Sequence, residues 1–282
     1  MMMLYQSIRK FYVTDLLSCG IITTMLFEVN KMVEKKEVSI SCFDTMRMLH
    51  IYTPKGYPKG RKKYPVLYMY DGHNLFFDED ATYGKSWGLA DYLDSQNMDI
   101  IVVGIECNHE GNMRLEEFSP YDFEDAYIGH IHGRGDQLME WVVHELKPWI
   151  DSTYRTKKSR SYTGIAGSSM GGLMALYTIL HHNDTFSMAG CFSSFLYPVM
   201  EDLKKELHAC SLKESRIFLS WGTDEFRSKT ALAYGTDRNL YITQQLLQKG
   251  ADVFPYQHIK GKHNEASWEK ELPIALPFLF EE

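Results

Sequence analysis

Gly167-Ser168-Ser169-Met170-Gly171 sits between two contrasting stretches of chain. Before it, Tyr162-Thr163-Gly164-Ile165-Ala166 is short, apolar and β-permissive; after it, Gly172-Leu173-Met174-Ala175-Leu176-Tyr177-Thr178-Ile179-Leu180 holds good helix formers and no proline. A strand that runs through a tight turn into a helix is the setting in which G-x-S-x-G becomes a nucleophile elbow. The flanking glycines lack Cβ, so the chain can bend sharply and lift the Ser169 hydroxyl above a sheet. The N–H groups that follow converge on the same spot, where the positive end of the helix dipole favours a developing oxyanion. The stretch therefore predicts an α/β fold carrying a nucleophilic serine.

Outward from this centre the pattern supports the same architecture. Val66-Leu67-Tyr68-Met69-Tyr70 and Ile100-Ile101-Val102-Val103-Gly104-Ile105 are continuous apolar runs, as expected of strands covered on both faces. Further strands are expected to end at Ala166 and to occupy 188–192, 217–221 and 253–259. Leu138, Trp141, Val142, Leu146, Trp149 and Ile150 recur at helical spacing, and Asp237 and Gly250 bracket another helix as N-cap and C′ residues. From 27 to 53 the residues alternate loosely, which reads as antiparallel strands with one wet face. We expect a mainly parallel twisted sheet with an antiparallel N-terminal part and helices on both faces. The stretch from 193 to 215 is too short for a large cap. No Pro-, Gly- or Ser-rich linker divides the chain, so 27–282 reads as one domain after an extension, 1–26, of unclear role.

The chain has 282 residues, enough for one substantial core, and a formal net charge of −7. That balance argues against nucleic acid or an anionic membrane as partner. Its five cysteines (Cys19, Cys42, Cys107, Cys191, Cys210) are odd in number and lack a C-x-x-C pair, a pattern of free thiols in a reducing compartment. No cysteine has a Cys or His partner at zinc-finger spacing, and His130-Ile131-His132 lacks an evident third ligand, so no metal is expected. The apolar run 16–27 loosely resembles a signal peptide but is too short to span a bilayer and lacks a good cleavage site. A cytoplasmic location is expected, with secretion the alternative if that segment acts as a signal.

A serine hydroxyl needs a base within hydrogen-bond reach, and the base needs an orienting carboxylate. In the elbow architecture the order is serine, acid, histidine, so the search is confined to residues after Ser169. His263, in Lys260-Gly261-Lys262-His263-Asn264-Glu265, follows the last expected strand and is the best base; His258 lies within that strand. Trp221-Gly222-Thr223-Asp224-Glu225 offers Asp224 and Glu225 as competing acids, with Asp237 a third option that looks like a cap. The oxyanion donors should be the N–H of Met170, next to the nucleophile, and that of His73 in Asp71-Gly72-His73-Asn74.

Taken in order, Asp71-Gly72-His73-Asn74-Leu75-Phe76, Ser86-Trp87-Gly88, Arg114 with Glu117-Phe118-Ser119-Pro120, Gly167-Ser168-Ser169-Met170-Gly171-Gly172, Gly222-Thr223-Asp224-Glu225 and Gly261-Lys262-His263-Asn264-Glu265 are a strong set. Over 45–280 the chain resembles the α/β-hydrolase esterase family that includes feruloyl and acetyl-xylan esterases, enterochelin esterases, S-formylglutathione hydrolases and mycolyltransferases. The resemblance implies Ser169 as nucleophile, His263 as base and backbone donors at His73 and Met170. In that family the acid commonly stands three residues after the glycine ending its strand, which implies Glu225, with Asp224 competing. Asp71 departs from the His found before the glycine in many hydrolases. The implied substrate is a small-molecule or carbohydrate-linked ester, with an acetyl or hydroxycinnamoyl group, and no cofactor. Alternatives are a siderophore trilactone esterase, an acyltransferase, or a non-catalytic binding protein on the same fold; the pattern allows a homo-oligomer. Arg114 is expected to anchor a loop over the pocket, and Trp87, Phe195, Tyr197 and Trp268 to lie near the catalytic face.

Overall fold

The computed structural model describes residues 33–209 and 211–281. The extension 1–26, the residues 27–32 included in the strand expectation, and Cys210 lie outside them. Strands β1 (Val33–Ile40) and β2 (Thr45–Tyr52) form an antiparallel hairpin, followed by β3 (Val66–Tyr70), α1 (Leu89–Ser95) and β4 (Ile101–Ile105). Next come α2 (Met113–Glu117), a small hairpin of β5 (Phe123–Asp125) and β6 (Gly129–Ile131), and α3 (Gly135–Trp141), which continues through one π-helical turn into α4 (Lys147–Thr153). The remainder alternates: β7 (Thr163–Ser168), α5 (Met170–His181), β8 (Met188–Phe192), α6 (Met200–Ala209), β9 (Arg216–Gly222), α7 (Lys229–Gln248) and β10 (Asp252–His258), then α8 (Glu265–Trp268) and α9 (Leu272–Phe280).

The main sheet has eight strands in the order β1-β2-β4-β3-β7-β8-β9-β10. The pairings from β4 through to β10 are all parallel, while β1–β2 and β2–β4 are antiparallel. Period-two alternation divides the core between the two faces of the sheet. Val66, Tyr68 and Tyr70 pack with buried residues of α3 to α7, such as Leu138, Leu173 and Ile242. Leu67 and Met69 pack with α1 and α9, through Leu89, Leu93, Leu276 and Leu279. This two-sided cover explains why the central strands read as unbroken apolar runs.

The chain places β4 on one side of β3 and β7 on the other, so the strand order reverses between β3 and β7. At such a reversal the loops leaving the carboxyl ends diverge to opposite faces and open a crevice, the usual binding place in α/β sheets. Asp71 to Asn74 leaves β3 there, and Ser168-Ser169 leaves β7.

Asp237 does not cap a helix: α7 begins at Lys229, and Ser228 is the cap, its hydroxyl accepting the N–H of Ala231 at 3.1 Å. Ser228-Lys229-Thr230 lacks the apolar periodicity that marks a helix start, so the first two turns read as loop. Gly250, at φ +91°, does end the helix as expected.

Gly167 shows how tightly the elbow is packed. A Cβ placed there would lie 2.7 Å from the carbonyl carbon and oxygen of Gly171, which are backbone atoms and cannot swing aside. Gly167→Ala should therefore cost about 1–3 kcal/mol in denaturant unfolding, an overpacking penalty. Gly56→Ala, where nothing lies within 4 Å of the added carbon, should leave the midpoint nearly unchanged. Equal midpoints for the two variants would contradict this reading of the elbow.

Candidate active site

Ser169 joins β7 to α5 with φ +58° and ψ −118°, in a region that a residue with a Cβ rarely adopts. Strain of this kind costs about 1–3 kcal/mol and persists only where the surroundings over-determine the conformation. Here they do. The Ser169 N–H donates to the Phe192 carbonyl at 2.9 Å, and its carbonyl accepts from Phe195 at 3.0 Å and Leu173 at 3.1 Å. The bend is thus tied to the exit of β8 on one side and to the first turn of α5 on the other. The Met170 N–H stands at the first position of α5, where helix geometry supplies no intrahelical acceptor.

On the β3 side, Asp71 adopts left-handed backbone angles (φ +57°, ψ +50°) and Gly72–Asn74 form a single 3₁₀ turn. The bonds closing this turn run from the N–H groups of Asn74 and Leu75, not from that of His73. The Asp71 carboxylate is gripped by the Arg114 guanidinium fork, Nε to Oδ1 and Nη2 to Oδ2, both at 2.7 Å. Burial pushes this carboxyl up, but the charge and hydrogen bonds of Arg114 outweigh that and hold it below the ordinary range. Arg114 therefore anchors the turn rather than a loop above the pocket. Of its expected companions, Glu117 is buried against Arg47 at 2.6 Å and accepts the Asn108 N–H.

The loops after β9 and β10 are bonded directly to each other. Thr223 N–H donates to the His258 carbonyl at 3.0 Å, Asp224 N–H to the Gly261 carbonyl at 2.9 Å, and Lys260 N–H to Thr223 Oγ1 at 2.8 Å. Gly222 and Gly261 meet so closely that a side chain at Gly222 would strike the Gly261 backbone. On this frame Glu225 Oε2 lies 3.2 Å from His263 Nδ1, the carboxylate almost buried (5% exposed) and the imidazole open (42%). Asp224 points outward, its Oδ1 accepting from Thr223 Oγ1 at 3.3 Å. Trp268 abuts the imidazole edge-to-face at 5.2 Å, its own N–H donating to Ser193 Oγ at 3.0 Å. Beneath this, His258 Nδ1 and the buried Glu271 carboxylate pair at 2.9 Å; burial raises Glu271 above the ordinary carboxylate range.

Ser169 and His263 border two cavities in common. One, of about 400 Å³, is also lined by His73, Cys107, Arg114, Glu265 and Trp268. The other, of about 490 Å³, is walled by Phe195, Tyr197, Phe226, Arg227 and Arg238. Both residues thus line both cavities, and among the described residues no hydrogen bond joins their side chains. Of the aromatics expected near this face, Trp87 is buried and lines neither cavity itself; it stacks at 5.5 Å on Trp268, which lines the first, and meets Phe192 edge-to-face at 4.9 Å. No sequence motif marks Phe226, Arg227 or Arg238; the first two follow the Gly222–Glu225 turn after β9 and the third lies in α7.

Folding that lowers a carboxyl's affinity for protons contributes stability above its unfolded value, about 3.9, and loses it as pH falls through the folded one. The Asp71→Asn protein should therefore lose less stability than the wild type between pH 5 and about pH 2. Arg114→Ala leaves an unpaired buried carboxylate and should cost about 3 kcal/mol at pH 7, more than Asp71→Asn, whose arginine borders a cavity. Chemical denaturation from pH 7 to about pH 2 checks both; parallel pH profiles for Asp71→Asn and wild type, or an Arg114→Ala loss at pH 7 no larger than that of Asp71→Asn, would contradict them.

Residues 41–279 match the family described as Putative esterase. The uncharacterized protein YbbA of Bacillus subtilis is 25% identical over 212 residues, 72% of this chain and 79% of that protein. The IroE-like serine hydrolase from Shewanella oneidensis superposes with a TM-score of 0.72 at 20% identity, covering 88% of this chain and 80% of that one. The enterobactin esterase Fes from Shigella flexneri, solved in the presence of enterobactin, gives 0.69 at 19% identity, covering 88% and 59%. Among the described residues no helix is long and apolar enough to cross a membrane. With its family match extending over most of its length, the chain belongs to the Putative esterase family.

Proposed function

We propose that the protein is a serine carboxylic ester hydrolase working through an acyl-enzyme. The observation that carries this reading is the contact of Glu225 with His263 on the cavity wall shared with Ser169. With His263 Nδ1–H donating to Glu225, the lone pair lies on Nε2, the nitrogen available to the Ser169 hydroxyl. Ser169 Oγ attacks the ester carbonyl as Nε2 takes its proton, and the tetrahedral oxyanion is held by the N–H groups of His73 and Met170. The imidazolium then protonates the leaving alcohol, and water repeats the sequence to free the acid. Glu225, not Asp224, is assigned as the orienting acid, because Asp224 faces away from the imidazole.

Two cavities meeting at Ser169 suit the two halves of an ester. We assign the acyl group to the wall of Phe195, Tyr197 and Phe226, whose flat apolar faces fit a hydroxycinnamoyl ring or leave room for acetyl. The more polar cavity beside Arg114 and Glu265 suits a carbohydrate alcohol. A siderophore trilactone is the second reading. It is favoured by Arg227 and Arg238, which make the second cavity locally basic despite the net charge of −7, and by the fold shared with an enterobactin esterase. Partners are thus small molecules, with neither nucleic acid nor membrane required.

Ser169→Ala should abolish p-nitrophenyl acetate hydrolysis while circular dichroism stays unchanged; near-native turnover would reject the assignment. Glu225→Gln should lower kcat by about 10³–10⁴, as loss of the triad acid does elsewhere, while Asp224→Asn leaves it within about twofold. Comparing turnover of methyl ferulate with that of enterobactin decides between the two substrate readings.

A further inference from the structure

On the wall of the first cavity stands a group of side chains for which the ester chemistry has no use. His73 follows β3, and Cys107 and His109 follow β4, its parallel neighbour, so the strand pairing brings their loops together. These three residues each offer a ligand atom within 4.8 Å of the other two. Cys107 Sγ lies 4.0 Å from His109 Nδ1. The outer nitrogen of His109, Nε2, lies 3.6 Å from Glu106 Oε2. A carboxylate beside the outer nitrogen is how metal-bound histidines are usually oriented.

His73 supplies an independent sign. It is only 6% exposed, and its Nε2 lies 2.9 Å from Thr82 Oγ1. With Nε2–H donating there, Nδ1 keeps a lone pair, yet this nitrogen is buried without any hydrogen-bond partner. A buried acceptor left unsatisfied is destabilising, so the position favours a ligand that accepts the lone pair.

We propose that His73, Cys107 and His109 bind one Zn²⁺, with its fourth position open to the cavity that Ser169 borders. Two imidazoles and a thiolate are a set that zinc prefers, and three protein ligands leave one site for water. On binding, the Cys107 thiol gives its proton to solvent and its sulfur bonds to the metal; nothing is oxidised or reduced. Tetrahedral zinc holds such atoms about 3.3–3.6 Å apart, so the ligands must draw together by about 1 Å. Rotation of His109, 55% exposed, supplies that movement. The ion and its water fill space needed by the substrate, so bound zinc inhibits hydrolysis. Inhibition rests on the esterase reading; binding does not.

Asp122, His130 and His132 also bring ligand atoms within 4.8 Å, but all three are exposed, and they serve as the control. Chelator-stripped protein is titrated with ZnCl₂ by calorimetry and by competition with a chromophoric chelator, alongside p-nitrophenyl acetate turnover. The account expects one Zn²⁺ per chain and at least about tenfold weaker binding in Cys107→Ser and in His109→Ala. It expects unchanged affinity in the His130→Ala/His132→Ala double variant. Co²⁺ in place of Zn²⁺ should give a thiolate charge-transfer band that Cys107→Ser lacks. Zinc should lower wild-type turnover, and chelator should restore it. Absence of stoichiometric binding, or binding lost only in the double variant, overturns the site, and zinc bound with undiminished turnover overturns its open position. Zinc bound through Cys107 and His109 in a protein without esterase activity supports the site and rejects the esterase reading instead.

Discussion

The bend at Ser169 is the constraint on which the rest depends. A residue with a Cβ is held at φ +58° because backbone bonds from β8 and α5 fix it from both sides and because Gly167 lets Gly171 approach. The same bend sets the start of α5, hence the position of the Met170 N–H, and places the hydroxyl at the meeting of two cavities. Because the strand order reverses between β3 and β7, the turn at His73 faces this point from across the crevice.

Electrostatics then stiffen what the backbone has arranged. Asp71 occupies a buried turn position that would be costly for a lone carboxylate, and the Arg114 fork makes it tolerable. The turn is thereby tied to α2, which sequence distance alone would not connect to it. On the opposite side, the loops carrying Glu225 and His263 hold each other through three hydrogen bonds, so the Glu225 carboxylate and the His263 imidazole are positioned relative to one another by the fold. Such preorganisation is the main way a fixed scaffold favours a charged transition state.

Much of this was legible in the chain. The central strands announced themselves as apolar runs because both faces are covered, and the elbow did so because only glycine tolerates its close contacts. Asp224 and Glu225 could not be separated by composition; what separates them is the direction of two successive residues in a turn, set by bonds to a loop nearly forty positions away. The early start of α7 was hidden because Ser228-Lys229-Thr230 opens it with polar residues, and Ala233 and Tyr234 further along are exposed and form no stripe. Cys107-x-His109 does not have zinc-finger spacing and so gave no metal signal, and the buried nitrogen that completes the set comes from the end of a neighbouring strand, which no local pattern reveals.

The central claim is that the hydroxyl at the bend is the activated nucleophile. Labelling the folded protein with a fluorophosphonate and mapping the adduct by peptide mass spectrometry tests it most directly. A single adduct should form on Ser169, absent when the protein is denatured before labelling and much slower to form in the Glu225→Gln protein. An unlabelled protein, or an adduct on Ser168, Ser193 or Ser194 instead, would contradict it.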